Sequence, residues 1–250
     1  MRILVVQARE NPVSIAAEQS HYRRAVGDAA HLDFLSLLDE KLAWTTPDEI
    51  LNDYDATILG GSESMYIHGG RMDNDPARLL AMIALSRARN IVSYAFAEEL
   101  PILGVCFGHQ LIAQMRGGEV THDKAQMKSG SYEVRLTEVG KKDALFGELP
   151  PSFVAQYGHK DSATTLPEGA TLLVSADCCR FSGLRYGSRA YTMQFHPELT
   201  AQEAIARLNA CPEYLPKNTK AEDVVRTSPE ASRLIPLWIE RIVAPSRGRG

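Results

Sequence analysis

The stretch PILGVCFGHQLIAQM, residues 101–115, reads as a buried strand that turns directly into a helix. Cys106 stands at the turn, between Gly104 and Gly108, in the pattern G-x-C-x-G. A strand-to-helix turn of this form is typical of a nucleophile elbow, in which the flanking glycines let neighbouring backbone pass close by. The pattern predicts that the Cys106 sulfur projects into a cleft.

Two interpretations of Cys106 follow from this position. A cysteine at a strand end is often a small buried residue that fills the core. In an elbow, however, the helix amino end lies beneath the sulfur, and its partial positive charge favours the thiolate over the thiol. The backbone N–H of Phe107 would also point at a developing oxyanion. The choice between these interpretations depends on the rest of the chain.

The segment MQFHPEL, residues 193–199, supplies what a reactive thiol needs. A thiol that attacks an acyl group requires a base, and the base requires an orienting partner. His196 and Glu198 offer these two groups directly after a predicted strand, and Pro197 between them limits backbone freedom. They lie about 90 residues after Cys106, so only folding can bring them to the thiol.

Strands and helices alternate along the first half of the chain. Predicted strands are RILVV, HLDFLSL, DATILGG and PILGVC; predicted helices cover 13–27, 46–54, 73–98 and the segment closed by Gly117 and Gly118. We expect Gly27 to end the first helix and Thr46 to cap the second. Short strand-like segments then follow up to residue 195. We expect an α/β fold with a mainly parallel central sheet flanked by helices, additional short antiparallel strands and a helical tail over 201–243. One domain over 1–250, with its core at about 1–200, accounts for this order.

Composition excludes several classes of protein. The 250 residues are 44% apolar and carry a formal net charge of −4, which gives no electrostatic footprint for nucleic acid or a membrane surface. Neither a targeting segment nor a membrane span is predicted. The cysteines at 106, 178, 179 and 211 show neither metal-ligand spacing nor a disulfide framework. We expect a cytoplasmic protein.

The motifs GVCFGHQLIA and QFHPE together resemble those of the class I glutamine amidotransferases, over roughly residues 1–200. The resemblance implies a flavodoxin-like three-layer fold and a Cys-His-Glu triad. In that triad Cys106 is the nucleophile, His196 the general base and acid, and Glu198 the residue that orients the histidine. It implies no metal and no organic cofactor.

The segment ILGGSES, residues 58–64, resembles the family's glycine-rich oxyanion loop. The resemblance implies that Gly61 and Phe107 offer backbone N–H groups to the oxyanion and that Gly60 lies in the substrate pocket. Ser62 stands where the family usually has proline, so the sequence leaves open whether the loop is formed before substrate arrives.

Other pocket residues are also implied by the resemblance. Gln110 matches a position that helps to hold the substrate glutamine. The segment QYGHKD, residues 156–161, offers Tyr157, Gly158 and His159 as residues that line the glutamine pocket.

Three functions are compatible with these residues. The first is a glutamine amidotransferase or glutaminase that releases ammonia, and the second is a γ-glutamyl peptide hydrolase with the same acyl-enzyme chemistry. The third is a catalytically silent binding or regulatory relative. The sequence lacks a G-x-x-x-x-G-K-[ST] phosphate-binding loop and a synthase domain, so either a separate synthase receives the ammonia or the protein acts alone on a γ-glutamyl compound. The tail over 201–243 would either pack on the sheet or dock a partner.

Overall fold

A nine-stranded sheet forms the centre of the protein, and a two-stranded ribbon lies beside it. The computed structural model describes residues 1–63, 65–67, 74, 76–177, 179–215 and 218–246. The described strands are β1 Arg2–Ala8, β2 His31–Ser36, β3 Ala56–Ser62, β4 Ile102–Val105, β5 Val120–His122, β6 Lys128–Leu136, β7 Ser152–His159, β8 Asp161–Ala163, β9 Ala170–Ala176, β10 Cys179–Tyr186 and β11 Ala190–Met193. The described α-helices are α1 Pro12–Val26, α2 Pro47–Leu51, α3 Pro76–Ala97, α4 Phe107–Met115, α5 Ala201–Ala210, α6 Ala221–Val224, α7 Leu234–Trp238 and α8 Ala244–Ser246.

The large sheet has a parallel half and an antiparallel half. Its strand order is β2-β1-β3-β4-β11-β10-β9-β6-β7. The pairs from β2 to β11 are parallel, and the pairs from β11 to β7 are antiparallel. The predicted fold class is therefore confirmed. The antiparallel strands are longer than expected, with nine residues in β6 and eight in β7, because they extend the same sheet.

Helices cover both faces of the parallel half and create three layers. Ile3 and Val5 point to the face covered by α1 and α7, where Trp238 is fully buried. Leu4 and Val6 point to the opposite face, which α3 and α4 cover. A strand buried on both faces needs apolar side chains at consecutive positions, which explains the uninterrupted run RILVV.

Local signals set the ends of several helices. The Asn11 side chain accepts a hydrogen bond from the Val13 N–H at the start of α1, and Gly27 ends this helix with φ of +55°, as predicted. At α5, Thr200 and Glu203 form a reciprocal capping box. The expectation that Thr46 caps α2 is wrong, because its hydroxyl donates to the Ala43 carbonyl instead.

The end of the C-terminal tail is less regular than the helical tail predicted over 201–243. Residues Ala231–Arg233 form a 3-10 turn, and α7 continues into a π-helical segment, Ile239–Val243. Leu234, Ile235 and Trp238 are fully buried in the core on the α1 side. This burial favours a packing role for the end of the tail over a docking role.

Some predictions concern residues outside the described set. These are the start of the third helix at residue 73, Ser64 of the oxyanion-loop motif, and Cys178. Over the described residues, no helix has both the length and the apolar character that a membrane span requires.

Candidate active site

Cys106 lies at the corner between β4 and α4 in a strained backbone conformation. Its φ is +51° and its ψ −96°, a region that costs a non-glycine residue about 1–3 kcal/mol. Two hydrogen bonds hold it there: the Cys106 N–H donates to the Met193 carbonyl at 2.8 Å, and its carbonyl accepts from the Gln110 N–H at 3.0 Å. The predicted strand-to-helix corner is therefore present.

The glycines on either side of Cys106 are required by close packing of backbone. A Cβ on Gly108 would lie 2.3 Å from the Leu59 carbonyl oxygen, and a Cβ on Gly104 would lie 2.9 Å from the Gly108 carbonyl. Contacts this short force backbone to move. The G-x-C-x-G pattern thus lets α4 sit directly against β3 and β4.

His196 and Glu198 form a buried pair in the turn that follows β11. His196 Nδ1 lies 2.6 Å from Glu198 Oε1, and each side chain is only 1% exposed. The His196 backbone N–H donates to the Gln156 carbonyl at 2.8 Å, which fixes the turn against β7. Because the carboxylate can only accept, Nδ1 carries the donated proton and Nε2 is left for another partner.

The thiol, the imidazole and the glycine-rich turn after β3 meet at one edge of the sheet. A Cβ on Gly61 would lie 3.0 Å from His196 Cε1 and 3.7 Å from Cys106 Cβ. The Cys106 Sγ lies 4.0 Å from the Gly158 carbonyl oxygen. Parallel strands place their carboxyl ends at a shared edge, so β3, β4 and β11 bring these groups together.

Opposing effects set the protonation of the buried pair. Burial lowers the pKa of His196, but the Glu198 charge and the Cys106 thiol together outweigh it, and the net shift is upward. Burial raises the pKa of Glu198, but the adjacent imidazole reverses this and holds the pKa below its ordinary value. The Glu198 carboxylate therefore makes the His196 imidazole a stronger base than a free one.

The predicted glutamine-pocket residues have different surroundings. Gln110 is buried, and its Nε2 donates to the Asp161 carbonyl at 2.6 Å and to Gln194 at 3.2 Å. The Tyr157 hydroxyl donates to Ser182 at 2.8 Å. Burial lowers the pKa of His159 to about 4, so its ring is neutral.

The Gly158 carbonyl oxygen lies 4.0 Å from the Cys106 sulfur, and a Cβ on Gly158 would meet no atom within 4 Å. The hydrogen-bonding atoms named for Gln110 and Tyr157 are already engaged within the protein. The backbone around Gly158 is therefore the part of this group that faces the site most directly.

A buried ion pair behind the glycine-rich turn was not anticipated from the sequence. Arg9 Nη2 lies 2.8 Å from Glu18 Oε1, and Gln7 Nε2 donates to Glu18 Oε2 at 2.8 Å. Glu18 Oε1 would be 3.1 Å from a Cβ on Gly60, and Arg9 Nη2 3.5 Å from one on Gly61. Arg9 directly follows β1, so the rule that sites gather at strand carboxyl ends could have identified it.

Arg207 was also missed. It extends from α5 so that its Nη1 lies 3.2 Å from Nε2 and 3.4 Å from Nδ1 of His196. The similar distances to both ring nitrogens place the guanidinium over the face of the imidazole, and its charge opposes the upward shift of the His196 pKa. Nothing in the sequence around Arg207 marks it, because its contact depends on how α5 returns over the sheet.

A cavity of about 250 Å³ opens beside His196, between α1 and α5. Arg9, Ser62, Gly158 and Arg207 contribute to its wall together with His196. Tyr214, whose hydroxyl hydrogen-bonds with that of Tyr66, covers one end. The arrangement joins a buried thiol–imidazole–carboxylate group to a space that can admit a small molecule.

Comparisons with known proteins place this geometry in context. The sequence model of the family "Glutamine amidotransferase class-I" matches residues 43–209. One subunit of the glutamine-hydrolysing GMP synthase of Methanothermobacter thermautotrophicus is 33% identical over 171 residues, which span 67% of this chain and 79% of the relative. The protein of the same name from Methanocaldococcus jannaschii is 37% identical over 120 residues, which span 48% of this chain and 62% of the relative.

A glutamine amidotransferase structure from Thermotoga maritima matches 97% of this chain and 98% of its own, with a TM-score of 0.69 and 20% sequence identity. At that identity the likeness supports the fold alone. The family match covers well over half of the chain and includes Cys106, His196 and Glu198. This chain therefore belongs to the class-I glutamine amidotransferase family.

Proposed function

We propose that the protein is a glutamine amidotransferase that hydrolyses the side-chain amide of glutamine through a γ-glutamyl thioester on Cys106. The observation that carries this proposal is the meeting of Cys106, the His196–Glu198 pair and Gly61 at one sheet edge. A thiol, an oriented imidazole and backbone donors at one point are the requirements of acyl transfer.

The first step is attack by the Cys106 thiolate on the amide carbon of glutamine. His196 Nε2 takes the thiol proton as the sulfur attacks. The N–H groups of Gly61 and Phe107 stabilise the tetrahedral oxyanion. Phe107 is the first residue of α4, where an N–H has no acceptor within the helix. Each such donor contributes about 3–4 kcal/mol in related sites.

In the second step, His196 returns its proton to the departing nitrogen, and the C–N bond breaks to release ammonia. Glu198 holds Nδ1 at 2.6 Å and stabilises the imidazolium that exists between the two steps. Water, activated by His196, then cleaves the thioester and frees glutamate. Each of these steps uses side chains and backbone of this chain.

A separate synthase subunit is the proposed acceptor of the ammonia. The relatives are named as one lettered subunit of a glutamine-hydrolysing GMP synthase, a name that implies at least one further subunit. This chain carries no G-x-x-x-x-G-K-[ST] loop of its own for nucleotide phosphates. We place the protein in the reducing cytoplasm, because the spacing of its cysteines is not that of a disulfide framework.

The decisive experiment incubates the purified protein with L-glutamine and measures ammonia and glutamate. We expect both products in equal amounts, and a glutamyl adduct on Cys106 by intact-mass spectrometry after an acid quench. Cys106→Ala removes both signals, whereas Cys179→Ala, which alters a buried cysteine at the start of β10, keeps them. Absence of the adduct and of both products, with and without a synthase subunit, would refute the proposal.

A further inference from the structure

The cavity beside His196 is larger than the release of ammonia requires. Its volume is about 250 Å³. A single water-sized molecule, such as ammonia, needs only about 10–15 Å³ of cavity. Most of its walls are apolar, with Val13 and Ala17 from α1 on one side and Ala204 and Leu208 from α5 on the other. The cavity therefore suits an organic group with an aliphatic part.

The position of the cavity assigns it to the leaving group of the reaction. His196, which protonates the departing nitrogen in the proposed mechanism, forms part of its wall, as does Gly158. Of the predicted glutamine-pocket residues, Tyr157 and Gly158 contribute to the described wall, and Gly60, Gln110 and His159 do not. A group attached to the departing nitrogen would extend past His196 into the space between α1 and α5.

The cavity also presents a guanidinium that forms no ion pair with any described residue. Over the part of the chain that the structure describes, no carboxylate oxygen lies within 4.0 Å of Arg207; its contacts are the His196 ring and, at 3.5 Å, the Ser62 carbonyl. The neighbouring arginines are committed: Arg9 pairs with Glu18 at 2.8 Å, and Arg24 pairs with Glu203 at 2.7 Å.

The acidic residues of the wall leave the Arg207 end open to an anion. Glu18 and Glu203 are held in the ion pairs with Arg9 and Arg24. Glu63 accepts a hydrogen bond from Ser14 at 3.0 Å on the wall formed by α1 and the turn after β3. An anionic ligand is repelled from Glu63 and attracted to Arg207, which fixes the direction in which it lies.

We propose that the protein also hydrolyses γ-glutamyl α-amino acids, and that the cavity binds the departing amino acid with its carboxylate on Arg207 and its aliphatic side chain between α1 and α5. A guanidinium binds a carboxylate through two parallel hydrogen bonds, so Arg207 turns from the His196 ring to meet it. This activity rests on the same Cys106 acyl-enzyme as the proposed function.

The reaction balances without any further reagent. Cys106 Sγ forms a bond to the γ-carbonyl carbon, and the C–N bond to the amino acid breaks. The thiol proton passes through His196 to the departing amine, which leaves as a free amino acid. Water then adds to the thioester, its proton returns to the sulfur, and glutamate is released.

The test compares two substrates that differ only in one carboxylate. These are γ-L-glutamyl-L-leucine and γ-L-glutamyl-3-methylbutylamide, whose leaving amine is leucine without its carboxyl group. We expect the wild type to prefer the first by about 10-fold or more in kcat/KM, the range for a charge-assisted hydrogen bond. Arg207→Met brings the ratio of the two kcat/KM values to about 1, and Arg207→Lys restores it in part.

The ratio isolates recognition of the carboxylate, because any effect of Arg207 on His196 acts on both substrates alike. Arg23→Met is the matched control: Arg23 lies on α1 with its guanidinium over Phe34, 4.6 Å from the ring centre, and it leaves the ratio unchanged. Thermal unfolding verifies that each variant is folded. Ala17→Phe, at an exposed position on the cavity wall, provides a second test by lowering kcat/KM for the dipeptide more than that for glutamine.

The outcomes separate this inference from the function on which it rests. Hydrolysis of glutamine without hydrolysis of γ-glutamyl-leucine overturns the inference and leaves the proposed function intact. A substrate ratio that Arg207→Met does not change overturns it as well. If Arg207→Met does not fold, Ala17→Phe provides the test. The inference is then overturned if Ala17→Phe does not lower kcat/KM for the dipeptide relative to that for glutamine. Failure of every substrate to acylate Cys106 overturns both proposals.

Discussion

The two halves of the large sheet contribute to the site in different ways. The parallel half supplies Cys106, Gly61 and His196 from turns in which close contacts with neighbouring atoms leave little space for a larger residue. The antiparallel half supplies Tyr157 and Gly158 from β7, where a Cβ added to Gly158 meets nothing within 4 Å. The parallel half of the sheet is tightly packed at the site, and the antiparallel half has space for a larger side chain there.

This difference separates chemistry from recognition. Acyl transfer needs reacting groups held within a fraction of an ångström, which strained and tightly packed turns provide. The shape of a substrate pocket can vary without loss of that geometry. Substitutions at the ends of β3, β4 and β11 should therefore reduce turnover, and substitutions along the β7 wall and α5 should change substrate preference.

The largest expected effect on turnover comes from Cys106→Ala. Removal of the nucleophile should lower kcat for glutamine by about 10⁴-fold or more, since the remaining groups cannot form the acyl-enzyme. The unfolding temperature should not fall, because alanine fits the space and the strained φ remains. The measurement is ammonia release together with a thermal melt. Retention of even a tenth of the activity would contradict the proposal that the parallel half supplies the nucleophile.

His196→Ala should follow closely, and Glu198→Gln should cost less, about 10²-fold, because the base remains and only its partner is weakened. The Glu198 charge raises the pKa of His196, so its loss should move the acidic limb of the kcat/KM profile to lower pH. A pH–rate profile of Glu198→Gln checks the direction. A limb that moves to higher pH would mean that Glu198 does not act on His196.

Gly61→Ala and Gly158→Ala compare the two halves directly. The added methyl at Gly61 lies 3.0 Å from His196 Cε1 and should displace the ring or the loop, with a loss of kcat of about 10-fold. The methyl at Gly158 has free space and should change kcat by less than about 3-fold. Steady-state kinetics with glutamine measure kcat for both variants. Equal losses of kcat would show that the two halves of the sheet do not differ in their tolerance of substitution.

Substitution of His109 should have the smallest effect on turnover. It should change the stability of the protein instead. Burial lowers the pKa of His109 to about 3, so the folded state keeps this ring neutral while the unfolded chain takes up a proton near pH 6.5. The free energy of unfolding should therefore fall as the pH drops from 6.5 towards 3, by no more than about 5 kcal/mol for this residue.

His109→Asn should flatten that dependence while it keeps a polar atom near Thr192, whose hydroxyl lies 2.8 Å from His109 Nδ1. Urea unfolding at a series of pH values measures the slope for both proteins. The same slope in wild type and variant would show that other groups account for the acid sensitivity.

The sequence was most informative where a single local pattern determines the structure. Gly104, Cys106 and Gly108 predict the elbow because only glycine permits the approach of Gly108 to the Leu59 carbonyl. Continuous apolar runs predict the parallel strands because both faces are covered. The corner and the parallel strands of the first half of the chain therefore follow from neighbours in the sequence.

Contacts between distant segments were harder to predict. Arg9 and Glu18 meet behind Gly60, and Arg207 meets His196, only because α1 and α5 pack on the same side of the sheet. No residue type at these positions marks a site, since arginine and glutamate are also common on exposed helix faces. Thr46 illustrates the converse: its residue type predicted a helix cap, and its hydroxyl found a nearby carbonyl instead.

The pairing of β11 with β4 has a consequence for synthesis of the protein. The two strands are neighbours in the sheet, yet His196 leaves the ribosome 90 residues after Cys106. At about 5–20 residues per second, roughly 5–20 s pass between them. During that interval the nascent chain carries its sulfur without an imidazole beside it, so the growing polypeptide gains its chemistry only once β11 has been inserted.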